Sequence, residues 1–156
     1  PLACGSSIYH VDILVTTGGE RIAIELKYKT KQMAATVNGE AFSLGNHAAN
    51  DHGRYDYLRD VERVETLVSA GVVASGLAIL LTNDHLYWKS QQREVNDLAF
   101  HIADGTRISG QRAWAPGAGK GSIAKREPPI ALRETHECKW RDYSQVGTSR
   151  VGQFLC

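Results

Sequence analysis

Residues 10–29 constrain the fold more than any other stretch of this chain. HVDILVTTGGERIAIELKYK reads as two strands joined at Gly18-Gly19. Val11, Ile13 and Val15 share one face before the turn, and Ile22, Ile24 and Leu26 share one after it, with the two-residue period of a strand. A Gly-Gly pair accepts the positive φ angles of a tight two-residue hairpin. With the turn centred there, cross-strand partners have numbers that sum to a constant: Thr17 faces Glu20, Val15 faces Ile22, Ile13 faces Ile24 and Val11 faces Leu26. Every pair after the first is apolar, which supports this register.

The same register sets Asp12 opposite Glu25 on the other face, with Cβ atoms roughly 4.5–5.5 Å apart. Lys27 lies one step further along that face. Two carboxylates held this way repel each other unless something cationic lies between them. A hard divalent cation, Mg²⁺ or Mn²⁺, takes carboxylate oxygens together with water and substrate phosphate. Such an ion activates a water and neutralises charge on a phosphoryl oxygen. Lys27 beside it is suited to orienting that water or stabilising the charge that develops at phosphorus. The competing reading is a solvated charge cluster on an exposed hairpin, with Lys27 serving both acids.

The rest of the chain sets the context for that hairpin. Residues 32–50 are polar and small, and are expected to be loop. In RYDYLRDVERVETLVSAG, residues Tyr57, Leu58, Val61, Val64, Leu67 and Val68 follow the i, i+3, i+4 pattern, which predicts a helix closed near Gly71. GLAILLT at 76–82 is a continuous apolar run, as expected of a strand covered on both faces. Residues 90–104 suggest a second, shorter helix, and RISGQRAW a strand bent at Gly110. Residues 115–129, rich in Gly and Pro, are expected to be loop. PIALRETHECKWRDYS reads as one last long strand. The order β-β-α-β, then α and more β, implies an α/β sandwich with a mixed sheet, and 156 residues fit a single domain spanning 1–156.

Charge and cysteine usage narrow the function classes. A net charge of +1 excludes a bulk polycation, so nucleic-acid binding requires a local basic patch. Lys29, Lys31, Lys120, Lys125 and Arg126, with Lys139 and Arg141, are candidates for a phosphate-lined groove; the bland alternative is ordinary surface lysines. Arg54 and Tyr55 open the predicted helix, where cationic and aromatic groups meet a phosphate at the N-terminus. Against that, Tyr55 packs on the core and Asn50 or Asp51 caps the helix. Cys4, Cys138 and Cys156 are too few and too scattered for a disulfide framework and read as reduced thiols in a cytoplasmic protein. The longest apolar stretch falls far short of the ~20 residues of a membrane span, so no membrane partner is expected. WAPGAGKGS at 114–122 fails the phosphate-loop template, with Trp114 where the first Gly belongs and Gly121 after the Lys. His136-x-Cys138 has no second pair at zinc spacing.

Asp12 followed by Glu25-Leu26-Lys27 on the next strand resembles the PD-(D/E)XK, or restriction-endonuclease-like, nuclease superfamily. That superfamily's core is a helix, a hairpin carrying Asp and (Asp/Glu)-x-Lys, another helix and a further strand. Residues 8–82 follow this order apart from the first helix. IELKYKT, GRYDYLRDVERVE, LLTND, YWK and KWRDYS also resemble a group of uncharacterised bacterial proteins placed near it. The resemblance implies a restriction-endonuclease-like α/β core, hydrolysis of phosphodiester bonds in DNA, Asp12 and Glu25 as ligands of Mg²⁺ or Mn²⁺, and Lys27 as the catalytic lysine. It further implies homodimers, common among such nucleases. Val11 stands where Pro usually precedes the first Asp, and the acidic residue that the first helix often supplies would lie upstream of Pro1. Without that acid, the alternative is an inactive nucleic-acid- or protein-binding module on the same fold.

Overall fold

Gly18 and Gly19 both take positive φ angles, 57° and 84°, and the turn they form sets the register predicted from sequence. The computed structural model describes residues 1–91, 94–146 and 149–156. In chain order its elements are β1 (Leu2–Cys4), β2 (Ser7–Tyr9), β3 (Ile13–Thr17), β4 (Glu20–Lys29), β5 (Met33–Val37), β6 (Glu40–Leu44), α1 (Asn50–Ser69), β7 (Ser75–Thr82), a 3₁₀ turn (Leu98–Phe100), β8 (Arg107–Arg112), α2 (Lys120–Ile123), β9 (Ile130–Glu137), β10 (Trp140–Val146) and β11 (Ser149–Leu155). The architecture is mixed α/β and rich in strands. Its central sheet runs β10-β11-β7-β4-β3, with three separate two-stranded ladders, β1-β2, β5-β6 and β8-β9.

In the hairpin, Ile13 pairs with Ile24, Val15 with Ile22 and Thr17 with Glu20. β4 and β7 are parallel, from Ile22↔Ser75 to Lys29↔Thr82, so α1 is the crossover that a parallel pair requires. Small residues seat α1 on the sheet. A Cβ on Gly76 would lie 2.5 Å from Val64 Cγ1 and 2.9 Å from the Ala23 carbonyl oxygen. Leu58 and Leu67 on the helix, and Leu80 and Ala23 on the strands, are fully buried.

This packing corrects which face of the hairpin is covered. The helix lies over the face that carries Ala23, Glu25 and Lys27, while Ile13, Val15 and Leu26 stay exposed on the other. β7 follows suit: Leu80 and Thr82 are buried, but Leu77 is 43% exposed. An apolar run therefore did not mean cover on both faces. Among the described residues, α1 is the only long helix against this sheet, and one helix covers one face.

Four other expectations change. Residues 32–50 are mostly a hairpin, β5-β6, turning at Asn38-Gly39 with φ of 52° and 82°; Asn-Gly is the strongest short hairpin signal. The predicted helix over 90–104 is reduced to the 3₁₀ turn, with Gln92 and Arg93 outside the described residues. Phe100 and Ile102 are both fully buried, a two-residue spacing that a helix would send to opposite sides. The last long strand is two, because Cys138 breaks it: its N–H bonds the Thr106 carbonyl at 2.8 Å and its carbonyl accepts from Gly105 at 2.8 Å. The chain there passes from the β8-β9 ladder into the central sheet, where β10 pairs with β11. Within 115–129, residues Lys120–Ile123 form the short α2. The Gly110 bend is present, at φ 67° with a register shift beside it.

Candidate functional site

Strand alternation puts Glu25 and Lys27 on the helix-covered side of β4, and helical i, i+3 spacing puts Asp60 and Arg63 opposite them on α1. The Lys27 ammonium lies 2.8 Å from the Asp60 carboxylate. The Arg63 guanidinium bonds the Glu25 carboxylate and also lies 3.3 Å from Asp60. Glu25 and Asp60 are both buried. Asp12 sits one residue before the last β3-β4 pair, where its Oδ2 accepts the Leu26 N–H at 2.7 Å. A side chain thus takes over the ladder bond that the strand no longer supplies, and fixes Asp12 beside Glu25.

Three carboxylates and two cations converge here, leaving one excess negative charge when all are ionised. Burial pushes the Glu25 carboxyl above its ordinary range; Arg63 pulls it back, and the nearby Asp60 and Asp12 charges add to the rise. Asp60 is raised for the same first reason, against Lys27 and Arg63. Carboxylates whose ionised forms are not fully compensated retain an appetite for a further cation. Asp12 and Glu25 are two hard oxygen donors on adjacent strands, a set that suits Mg²⁺ completed by water and substrate oxygens. Among the described residues, no three His, Cys, Asp or Glu side chains are grouped to hold an ion by themselves.

Asp60 and Arg63 had no part in the sequence reading. Their signal was present: in YDYLRDVERVETL, Tyr57, Asp60, Val64 and Leu67 form one stripe. A charge inside an apolar stripe is a charge that will need a buried partner.

The remaining candidates divide. Arg54 and Tyr55, expected at the helix N-terminus facing phosphate, are buried with protein partners. Arg54 donates to Asp97 through Nε at 2.9 Å and Nη2 at 2.6 Å, both partners buried. Tyr55 packs between Phe100 and Trp114 and donates its hydroxyl to the Pro128 carbonyl. Neither Asn50 nor Asp51 caps α1; Ala49 occupies that position, at φ 65°. Arg126 is half-buried and makes a two-pronged pair with Asp56, at 2.7 and 2.8 Å. Lys31, Lys120 and Lys125 are exposed, and Lys29 is half-buried with its stem along Gly53.

A cavity of about 650 Å³ opens between α1, β7 and β9, lined by Tyr57, Val61, Val64, Glu65, His136 and Leu155. It includes none of Asp12, Glu25 and Lys27. Glu65 there accepts the Arg133 and Glu134 N–H groups and pairs with His136 at 2.7 Å, fixing β9 to the helix. Among the described residues, no helix is long and apolar enough to cross a membrane.

No family model matches this chain, and neither a curated protein nor a solved structure matches it.

Proposed function

We propose that this chain is a metal-dependent nuclease that hydrolyses phosphodiester bonds in DNA, built on a restriction-endonuclease-like core. The observation that carries the reading is the Asp12 carboxylate pinned to the Leu26 N–H beside buried Glu25, with Lys27 on the same strand face. The hairpin, the crossover helix and the parallel strand β7 supply the element order that the resemblance implies. Asp12 and Glu25 would hold the ion. When bound, Mg²⁺ supplies an activated water and charge neutralisation at the phosphoryl oxygen.

The chain's own residues do the rest. Asp60 fixes Lys27 at 2.8 Å, which holds the ammonium beside the carboxylate pair, where it meets the oxygens that gain negative charge. Preorganised charge of this kind needs no reorganisation as the reaction proceeds. Lys29 ends the same strand and Lys31 lies two residues beyond it; with exposed Lys120 and Lys125 they are basic side chains open to backbone phosphates. One observation favours the inactive binding module: Glu25 already has Arg63 and Lys27 already has Asp60, a self-satisfied buried network.

Cleavage of single- and double-stranded DNA and of RNA with Mg²⁺ or Mn²⁺ separates the two. Metal-dependent cleavage by wild type, lost in Glu25→Gln and in Lys27→Met, supports the nuclease. No cleavage of any substrate, with folded protein and no Mn²⁺ heat in calorimetry, leaves the binding module.

A further inference from the structure

Glu25 is the most buried acid of the cluster, and its partner is a guanidinium from the opposing helix. Resting on the metal-dependent reading above, we propose that Arg63 is the resident counter-ion of the cation position and must leave Glu25 before a divalent ion can bind. Arg63 contacts Oε1 of Glu25. A metal on either oxygen of that carboxylate would face the guanidinium at close range, and like charges at such distances in a half-buried site repel strongly.

The geometry also provides somewhere for Arg63 to go. Its Nη1 already lies 3.3 Å from Asp60 Oδ1, one helical turn away, so leaving Glu25 does not strand a buried cation. Its side chain is about a third exposed, which leaves a path outward. Asp60 holds Lys27 through its other oxygen, Oδ2, so both cations can share this acid. Asp60 is thus a positioning residue for both. Glu25 exchanges one cation for another instead of being desolvated bare.

The test is Mn²⁺ titration by calorimetry of wild type, Arg63→Gln, Arg63→Lys and Arg59→Gln. Arg59 is on the same helix and pairs with Glu62, away from Glu25, so its loss controls for net charge. Arg63→Gln is expected to bind Mn²⁺ about tenfold more tightly than wild type, the effect of relieving about 1.4 kcal/mol of like-charge repulsion. Arg63→Lys keeps the charge but loses the planar fork, and its affinity is expected to fall between the two. Arg59→Gln is expected to match wild type. Equal affinity in wild type and both Arg63 variants overturns the proposal, as does equal tightening by Arg59→Gln. If Arg63→Gln fails to fold, Arg63→Met, which removes the charge but keeps an apolar stem, takes its place: tightening supports competition, and wild-type affinity overturns it. No Mn²⁺ binding by any of the four proteins removes the metal reading itself, a failure distinct from binding that Arg63 does not influence.

Discussion

At the scale of single residues, the most informative are charges that a folded domain ordinarily leaves at its surface. Arg54 and Asp97 form a buried pair, with His101 3.4 Å from the same carboxylate. Arg54→Met should destabilise the fold by about 3–5 kcal/mol, because it leaves Asp97 buried without its cation; urea unfolding measures this directly. Burial alone would raise Asp97, but His101 at 3.4 Å and the hydrogen-bonded Arg54 guanidinium bring it down to about 2 from 3.8. A depressed carboxyl contributes stability above its unfolded value and loses it as pH falls through the folded one. Unfolding free energy should therefore drop by about 2 kcal/mol between pH 4 and 2 on this account, with a shallower slope in Asp97→Asn. The sequence offered Arg54 as a phosphate contact because a helix N-terminus is a reasonable place for one. Its partner lies 43 positions away along the chain, and nothing local announces that contact.

At the scale of elements, β7 and α1 decide how the sheet is covered. Adjacent residues on β7 point to opposite faces, so their substitution costs should alternate with burial. Leu80→Ala, at a fully buried position, is expected to cost about 2–5 kcal/mol. Leu77→Ala, at a side chain 43% exposed, should cost about 1 kcal/mol or less, since much of its apolar area already meets water. A pair of melting curves separates them, and similar losses would show that the second face is covered after all. Gly76→Ala should cost about 1–3 kcal/mol by overpacking, because its Cβ would meet the Ala23 carbonyl oxygen as well as Val64. The strand and helix themselves were legible from period alone. The β5-β6 hairpin was missed because small polar residues hide alternation, although Asn38-Gly39 marked its turn.

At the scale of the whole molecule, stability should be uneven. Among the described residues β5 and β6 pair only with each other, and Phe42 on β6 is exposed. β4 lies between β3 and β7 under α1. Native-state hydrogen exchange should find the β4, β7 and α1 amides opening last, near the global limit, and Met33–Leu44 opening first. Equal protection in both regions would contradict this ranking. The register of β3 on β4, the two-glycine turn and the neighbourhood of Asp12, Glu25 and Lys27 were settled by the sequence alone, because pairing across a tight turn involves residues close along the chain. Which face of that hairpin is buried was not settled there. Its apolar face looked like the inside, yet α1 covers the side with Ala23, where small residues let helix and sheet approach. Only that long-range packing brings Asp60 and Arg63, some 35 residues further on, against Lys27 and Glu25. Local pairing made the carboxylate pair; tertiary packing chose its counter-ions.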